Sequence, residues 1–480
     1  MSFGILSFGA YVPTFRITRQ AIAQAISWAS PGAKSQKGER SFANWDEDSI
    51  TLAVEAARNC LSGLPRLVEQ VQLASTTLPF ADRSNSGVVA DALRLAGTVS
   101  TEDLAGSRRA ATSALVRMSR FTQGAPSTLL LAADTRETRP GSAQEMLYGH
   151  AAAALLLGEG EGEPVALIRG AASVHEDMVD QYRANDTDYD YSLEERWIRE
   201  EGYNKIVPRA VQAAADAAGI ALGEVHRFII PTSASIAKGL AKILKVGEDR
   251  LVDPLAGQVG DCGAAHSLLM LSLALETAVP GETLMVVGFG QGADALVIET
   301  TPHLAALQAS RGPARYIAAK RVVENYTMFL SLRERIEFDF GMRAERDNRT
   351  SQSAFYRRRQ DITGMVGGRC SACNTLQYPR SQVCVKCGEM DTQQPESLSD
   401  LLGRVKSYTE DWLAFTPLPP YIYGNVEFPD GANCMLEFTD FAPGAVQVGS
   451  EVRMVFRIKD FDTRRNFRRY FWKPAPLLAQ

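Results

Sequence analysis

The chain has 480 residues, 45% hydrophobic, 22% charged and 8% aromatic, too many for one hydrophobic core and ordinary for a globular protein of two or three domains. Its 38 glycines and 22 prolines exclude collagen-like and low-complexity classes. With 51 Lys and Arg against 56 Asp and Glu, the net charge of −5 gives no electrostatic ground for nucleic acid or an acidic membrane as the main partner.

Met1–Arg16 carries no basic segment ahead of its apolar residues, unlike a secretory leader. No later run approaches the roughly 18 to 20 apolar residues that span a bilayer. From there the chain alternates. Strands are predicted at Phe3–Phe8, Val71–Thr77, Ser127–Asp134, Ala151–Gly158, Val165–His175 and Arg227–Thr232, then the hairpin Thr283–Phe289 with Ala293–Glu299. Helices are predicted between them, at Asp48–Leu61, Gly87–Leu95, Ala110–Ser119, Lys205–Ala218, Ser235–Leu244 and Ala264–Thr277. Apolar strands alternating with helices predict a sheet covered on both faces.

After a polar linker, Gln308–Pro313, the character changes, and the formal charge goes from −7 before residue 321 to +2 from there on. A charged helical stretch is predicted over Arg321–Arg359. Cys370-x2-Cys373 and Cys384-x2-Cys387 follow, ten residues apart, the spacing at which four thiolates close a tetrahedral structural Zn²⁺ site. Seven cysteines, an odd and sparse set, otherwise predict a reduced, cytoplasmic protein. Gly403–Tyr408, Tyr421–Val426, Asn433–Phe438, Glu451–Arg457 and Phe467–Trp472 read as five short strands, the number an OB-fold barrel needs. Arg464–Trp472 interleaves basic and aromatic residues, as single-strand binders do, but the weak regional charge favours a solvated edge or a surface for a nucleotide-containing cofactor.

Gly4–Pro13, Asp46–Arg58, Ala132–Thr135 and Gly288–Ala293 together resemble the bacterial and archaeal hydroxymethylglutaryl-CoA synthase family. The resemblance implies a thiolase fold: two pseudo-repeated βαβαβαββ halves layered α-β-α-β-α, usually dimeric. The remainder resembles the zinc-ribbon and OB-fold proteins that accompany thiolases and thiolase-like aldolases. The implied plan is 1–170 and 171–312 for the halves, 313–365 for a helical linker, 366–396 for the ribbon and 397–480 for the OB fold.

The family's catalytic groups are not matched. Arg108 stands at the cysteine position in Gly106–Leu115, with Ser107 before it; the histidine motif becomes Ile229–Thr232, and the asparagine turn becomes Gly260–Gly263. Thr76 stands where the synthase has its acid. A guanidinium cannot attack a thioester, but its fixed donors suit carboxylates, phosphates and developing enolates.

The candidate catalytic residues are therefore Ser107, Arg108, Asp261 and His266. Asp261 either orients or deprotonates a substrate, or caps a helix; His266 is a base or a structural hydrogen-bonder; His150 is a weaker candidate. Cys262 is a relocated nucleophile or a packing residue. Arg109, Cys262, Gly290, Gln291 and Thr76 are candidates for holding substrate or coenzyme A. Asp186–Tyr191 with Arg196, Trp197 and Tyr203 reads as a substrate mouth or a solvated loop.

The leading expectation is an acyl-CoA enzyme that makes or cleaves a carbon–carbon bond without the usual cysteine, acting on an acyl-CoA or β-keto acid, as a homodimer, alone or beside a partner enzyme. The alternatives are a non-catalytic acyl-CoA-binding scaffold and an acyltransferase or synthase with a rearranged site. A nucleic-acid-binding module ranks below these.

Overall fold

The computed structural model describes residues 3–29, 37–65, 67–120, 124–159, 164–346 and 348–478. The chain forms two compact units: Met1–Ala43, Asp48–Gly87 and Leu95–Phe329 make the first, and Asn44–Glu47, Val88–Arg94 and Leu330–Gln480 the second.

The first unit is built on one nine-stranded sheet, whose strands we number in chain order: β1 (Gly4–Tyr11), β2 (Gln70–Ala74), β3 (Ser100–Leu104), β4 (Thr128–Asp134), β5 (Ala151–Gly158), β6 (Ala166–His175), β7 (Arg227–Ile229), β8 (Thr283–Phe289) and β9 (Gly292–Thr300). The order across the sheet is β7-β8-β9-β6-β1-β5-β4-β2-β3. β1 and β6 meet antiparallel at its centre. Outward from β1 the pairings run antiparallel, antiparallel, parallel, parallel. Outward from β6 they repeat the same sequence, the last place being taken by a single parallel bridge of Phe228 with Leu251. The two halves are therefore equivalent in order and polarity, which is the predicted thiolase repeat.

Four helices matter for the site: α1 (Ser49–Leu61), α2 (Ala110–Met118), α3 (Asn204–Ala218) and α4 (His266–Thr277). α1 covers β1, β4 and β5, and α3 covers β6 and β9. α2 and α4 pack on each other and on strands of both halves, forming the central layer of an α-β-α-β-α arrangement. α1 starts where Asp48 accepts from the Thr51 backbone N–H while the Thr51 hydroxyl accepts from the Asp48 N–H, a capping box. Small residues admit the central packing: Ala110, Ala111, Thr112 and Ala114 of α2 are all buried.

The charged helical stretch expected over Arg321–Arg359 is discontinuous among the described residues. Arg321–Val323 instead forms a short strand that belongs to the first unit and pairs parallel with Phe15–Thr18, as its β-branched Val322 and Val323 favour. Short helices Tyr326–Leu332, Gln352–Arg357 and Arg359–Thr363 take the rest, with Glu334 and Gly341 at positive φ interrupting any continuous helix. The ribbon strands Val366–Cys370, Leu376–Gln377 and Gln393–Ser397 form a small sheet.

Five further strands, β10 (Gly403–Asp411), β11 (Tyr421–Glu427), β12 (Asn433–Glu437), β13 (Glu451–Asp462) and β14 (Phe467–Pro476), pair antiparallel in the order β12-β11-β10-β13-β14. The basic and aromatic run on β14 is largely spent within this unit. Trp472 is buried and its indole donates to Thr363 O, while Arg469 and Arg465 pair with Asp460 and Asp462. No helix among the described residues is long and apolar enough to cross a membrane.

Candidate active site

The central layer places the starts of α2 and α4 side by side, and the site lies there. Arg108 and Arg109 immediately precede α2; Asp261 and a 3-10 turn, Gly263–Ala265, lead into α4. Arg108 Nη1 donates to Asp261 Oδ2 at 3.2 Å, and Nη2 pairs with Asp180. Arg108 and Asp261, from the turns that lead into the two central helices, thus form an ion pair. The Gln181 amide, oriented to suit its neighbours, accepts from Arg108 Nε at 3.2 Å and from both terminal nitrogens of Arg136, and donates to the Tyr148 hydroxyl.

Electrostatics follow from this packing. Burial alone would lower the Arg108 pKa, but Asp180 and then Asp261 outweigh it and the net shift is upward. Burial would raise Asp261, and Arg108, followed by His266 and Arg136, holds it below the usual carboxylate value. Tyr203 is pushed up to about 12, chiefly by burial.

A cavity of about 640 Å³ opens beside Arg108, lined also by Thr76, Ser107, Arg136, Arg183 and Gln291. Asp134 organises one wall. Its carboxylate accepts from Ser75 Oγ (3.0 Å), from Thr76 N and Oγ1 (2.7 and 2.9 Å), and from Ala264 N (2.7 Å) at the start of α4. Gly263, at φ +55°, is needed there because a Cβ would collide with Asp134 Oδ2.

Of the residues picked from sequence, Thr76, Ser107, Arg108, Gly290 and Gln291 line this cavity; Asp261 is not part of the lining but pairs with Arg108. Ser107 Oγ donates to Gly290 O at 3.2 Å and accepts from Arg109 N; neither partner is a base.

Arg109 turns away from the cavity. Its Nη1 pairs with the buried Asp294 at 2.8 Å and its Nε bonds Gly290 O, so it braces the Gly290–Gln291 turn. Cys262 is fully buried, its thiol pushed well up by burial, so it neither lines the cavity nor supplies a thiolate. His266 is also buried. Its Nδ1 accepts from Cys262 N at 3.3 Å and burial lowers its pKa, so it is a structural hydrogen-bonder outside the cavity wall. His150 is likewise consumed, between Ala43 N and Arg136 O.

Sequence reasoning missed Arg136, Asp180, Gln181 and Arg183. Asp180, Gln181 and Arg183 precede a run already noted as a substrate mouth or solvated loop; in the structure Thr187 and Asp190 of that run line the cavity, whereas Arg196 and Trp197 do not.

In the second unit, one Sγ from each of Cys370, Cys373, Cys384 and Cys387 lies within 4.8 Å of the others, with 3.7 Å between Cys370 and Cys387 and 3.6 Å between Cys373 and Cys384. Tetrahedral thiolates about 2.3 Å from a central ion stand roughly 3.8 Å apart. The quartet fits such an ion and keeps no open position.

A family model described as the ChsH2 C-terminal OB-fold domain matches residues 398–457. Hydroxymethylglutaryl-CoA synthase of Thermococcus onnurineus is 28% identical over 297 residues, 60% of this chain and 83% of the relative. That of Aeropyrum pernix is 27% identical over 348 residues, covering 70% and 95%. This chain is a homologue of hydroxymethylglutaryl-CoA synthase. The solved structure of a hydroxymethylglutaryl-CoA synthase complexed with CoA superposes with TM-score 0.60 at 16% identity, over 73% of this chain and 95% of that one. The 3-oxoacyl-(acyl carrier protein) synthase III of Pseudomonas aeruginosa PAO1 gives 0.54 at 21% identity, over 63% and 99%. Thiolase-like in fold, this homologue carries an arginine–aspartate pair between its two central helices.

Proposed function

We propose that the chain is an acyl-CoA enzyme that makes or cleaves a carbon–carbon bond without a cysteine nucleophile. One observation carries this reading: at the junction of the two halves the cavity presents the fixed guanidinium of Arg108 where the resemblance places a thiol, and the chain's cysteine at that junction, Cys262, is buried. Such a site suits a retro-aldol step or a CoA-dependent cleavage of a β-keto thioester, because both pass through an enolate or alkoxide that rigid donors stabilise.

Arg108, with Arg136 and Arg183 on the same wall, supplies the donors. Asp261, ionised and about a third exposed at 34%, takes the proton. The role of base thus passes from His266 to Asp261. The CoA-bound relative of the same fold supports the thioester as the substrate form. The four-cysteine site holds a structural zinc ion that supplies folding energy to its small sheet.

The test is direct. The purified chain, incubated with 3-hydroxyacyl-CoA or with 3-oxoacyl-CoA plus CoA, should release a shortened thioester, and Arg108→Ala should slow this by about 10²–10³. Intact mass should show no acyl adduct. A stable adduct on Ser107 or Cys262 would overturn the non-covalent reading in favour of acyl transfer.

A second reading has its own observation. Arg108 Nη1, Nη2 and Nε are all engaged, by Asp261, Asp180 and Gln181. Three of its five N–H donors are thus held within the protein, which favours a scaffold that binds acyl-CoA and presents it to a partner enzyme; binding without turnover would identify it.

A further inference from the structure

Among the described residues, three guanidiniums line the cavity, and their donors are committed unequally. Three of the five N–H donors of Arg108 go to Asp261, Asp180 and Gln181. Arg136 is 5% exposed; both of its terminal nitrogens are taken by the Gln181 amide, and Nη2 also by Asp190. Arg183 is 22% exposed and gives one N–H, from Nη2 to the Thr76 carbonyl. Its Nε and Nη1 make no hydrogen bond among the described residues, and neither nitrogen is enclosed. Asp190 Oδ1 lies 3.9 Å from Nη1, near enough to attract the guanidinium and too far to take its hydrogen.

This guanidinium is fixed in place before any ligand arrives. Asp134 holds Thr76 through its N and Oγ1, at 2.7 and 2.9 Å, and the Thr76 carbonyl holds Arg183. Arg183 also follows directly on a two-stranded ribbon, Gln181–Tyr182 against Tyr191–Ser192. Both ends of that ribbon are tied down, by Asp180 to Arg108 and by Asp190 to Arg136. A donor held this way needs no reorganisation when charge develops beside it.

We propose that Arg183 is the catalytic residue that meets the substrate's carbonyl oxygen, one of its open N–H groups donating to that oxygen as an enolate forms. When the C2–H bond of a 3-oxoacyl thioester breaks, the proton passes to a base and the electron pair is shared onto the flanking carbonyl oxygens. A fixed donor binds that oxyanion more tightly than the neutral carbonyl. The inference rests on the reading of the cavity as the site of a CoA thioester and singles out Arg183 among its three guanidiniums.

Binding of 3-oxohexanoyl-CoA to the full chain, followed across pH by the near-ultraviolet absorbance of its enolate, tests this without requiring turnover; the C2 proton goes to the buffer. The bound thioester should ionise about one to two pH units below the free one, roughly a ten- to hundredfold preference for the enolate. Arg183→Met should remove most of that shift while the thioester still binds. Arg183→Lys keeps a charge beside Asp190 without the planar guanidinium and should lose most of the shift too; it serves alone if the methionine variant fails to fold. A shift that survives Arg183→Met, or that lysine preserves in full, overturns the inference and leaves the thioester reading intact. A thioester that binds the unsubstituted chain with no shift overturns the inference together with the enolate chemistry proposed for the cavity. Failure to bind overturns the thioester reading and the inference with it.

Discussion

Replacing Arg108 with methionine keeps most of the side-chain volume and removes the charge. Asp180, whose side chain is 1% exposed, would then keep Gln291 Nε2, at 3.1 Å, as its side-chain donor among the described residues. Breaking a buried pair from one side costs about 3–5 kcal/mol, because the remaining charge stays desolvated. Asp261, at 34% exposure, is rehydrated and adds no more than about 1 kcal/mol. The expected loss is therefore about 4 kcal/mol at neutral pH. Urea unfolding followed by circular dichroism measures it, and hydrogen exchange at Ala110–Met118 assigns it to the first unit. The double variant Arg108→Met/Asp180→Asn removes the stranded charge and should recover most of the loss. A single-variant cost under about 1 kcal/mol, or a double variant no better than the single, would refute the claim that this pair is a buried, coupled link between the halves.

Four further outcomes are expected. Metal analysis of the purified protein should find one zinc per chain, and Cys373→Ser should abolish it while loosening Val366–Ser397 and sparing the first unit. Asp261, whose folded pKa is depressed, stabilises the fold above its unfolded value of about 3.9 and loses that contribution as pH falls through its lower folded value; Asp261→Asn should therefore flatten the acid limb of the stability profile, and an unchanged limb would count against the pairing. Glu276 is pushed up to about 7, chiefly by burial, so its ionisation opposes folding increasingly as pH rises from about 4.5 through 7; Glu276→Gln should stabilise the protein by roughly 1–3 kcal/mol at pH 8 and hardly at all at pH 4, read from denaturant midpoints. Light scattering should give about twice the 52.3 kDa chain mass if the small-residue central layer belongs to a dimer of the thiolase kind; the monomer mass at micromolar concentration would exclude it.

Most strands and helices of the first unit were legible in the sequence to within a few residues, because hydrophobic periodicity and caps are local. So were the cysteine quartet and the five strands of the OB sheet, each written in a short spacing. Arg108 and Ser107 were also picked out from the sequence, and both line the cavity. What the sequence could not carry was the pairing of groups far apart along the chain. Arg108 and Asp261 are 153 residues apart, and Arg108 and Asp180 are 72 apart; only the return of both halves to one central layer brings them together. The same closure decides the fates of Cys262 and His266, which share a promising turn with Asp261 yet end up buried. It also makes Thr187 and Asp190, from the Asp186–Tyr191 run read as a substrate mouth or a solvated loop, part of a cavity wall. Burial and charge pairing are properties of where the chain comes back to, and no local pattern records them.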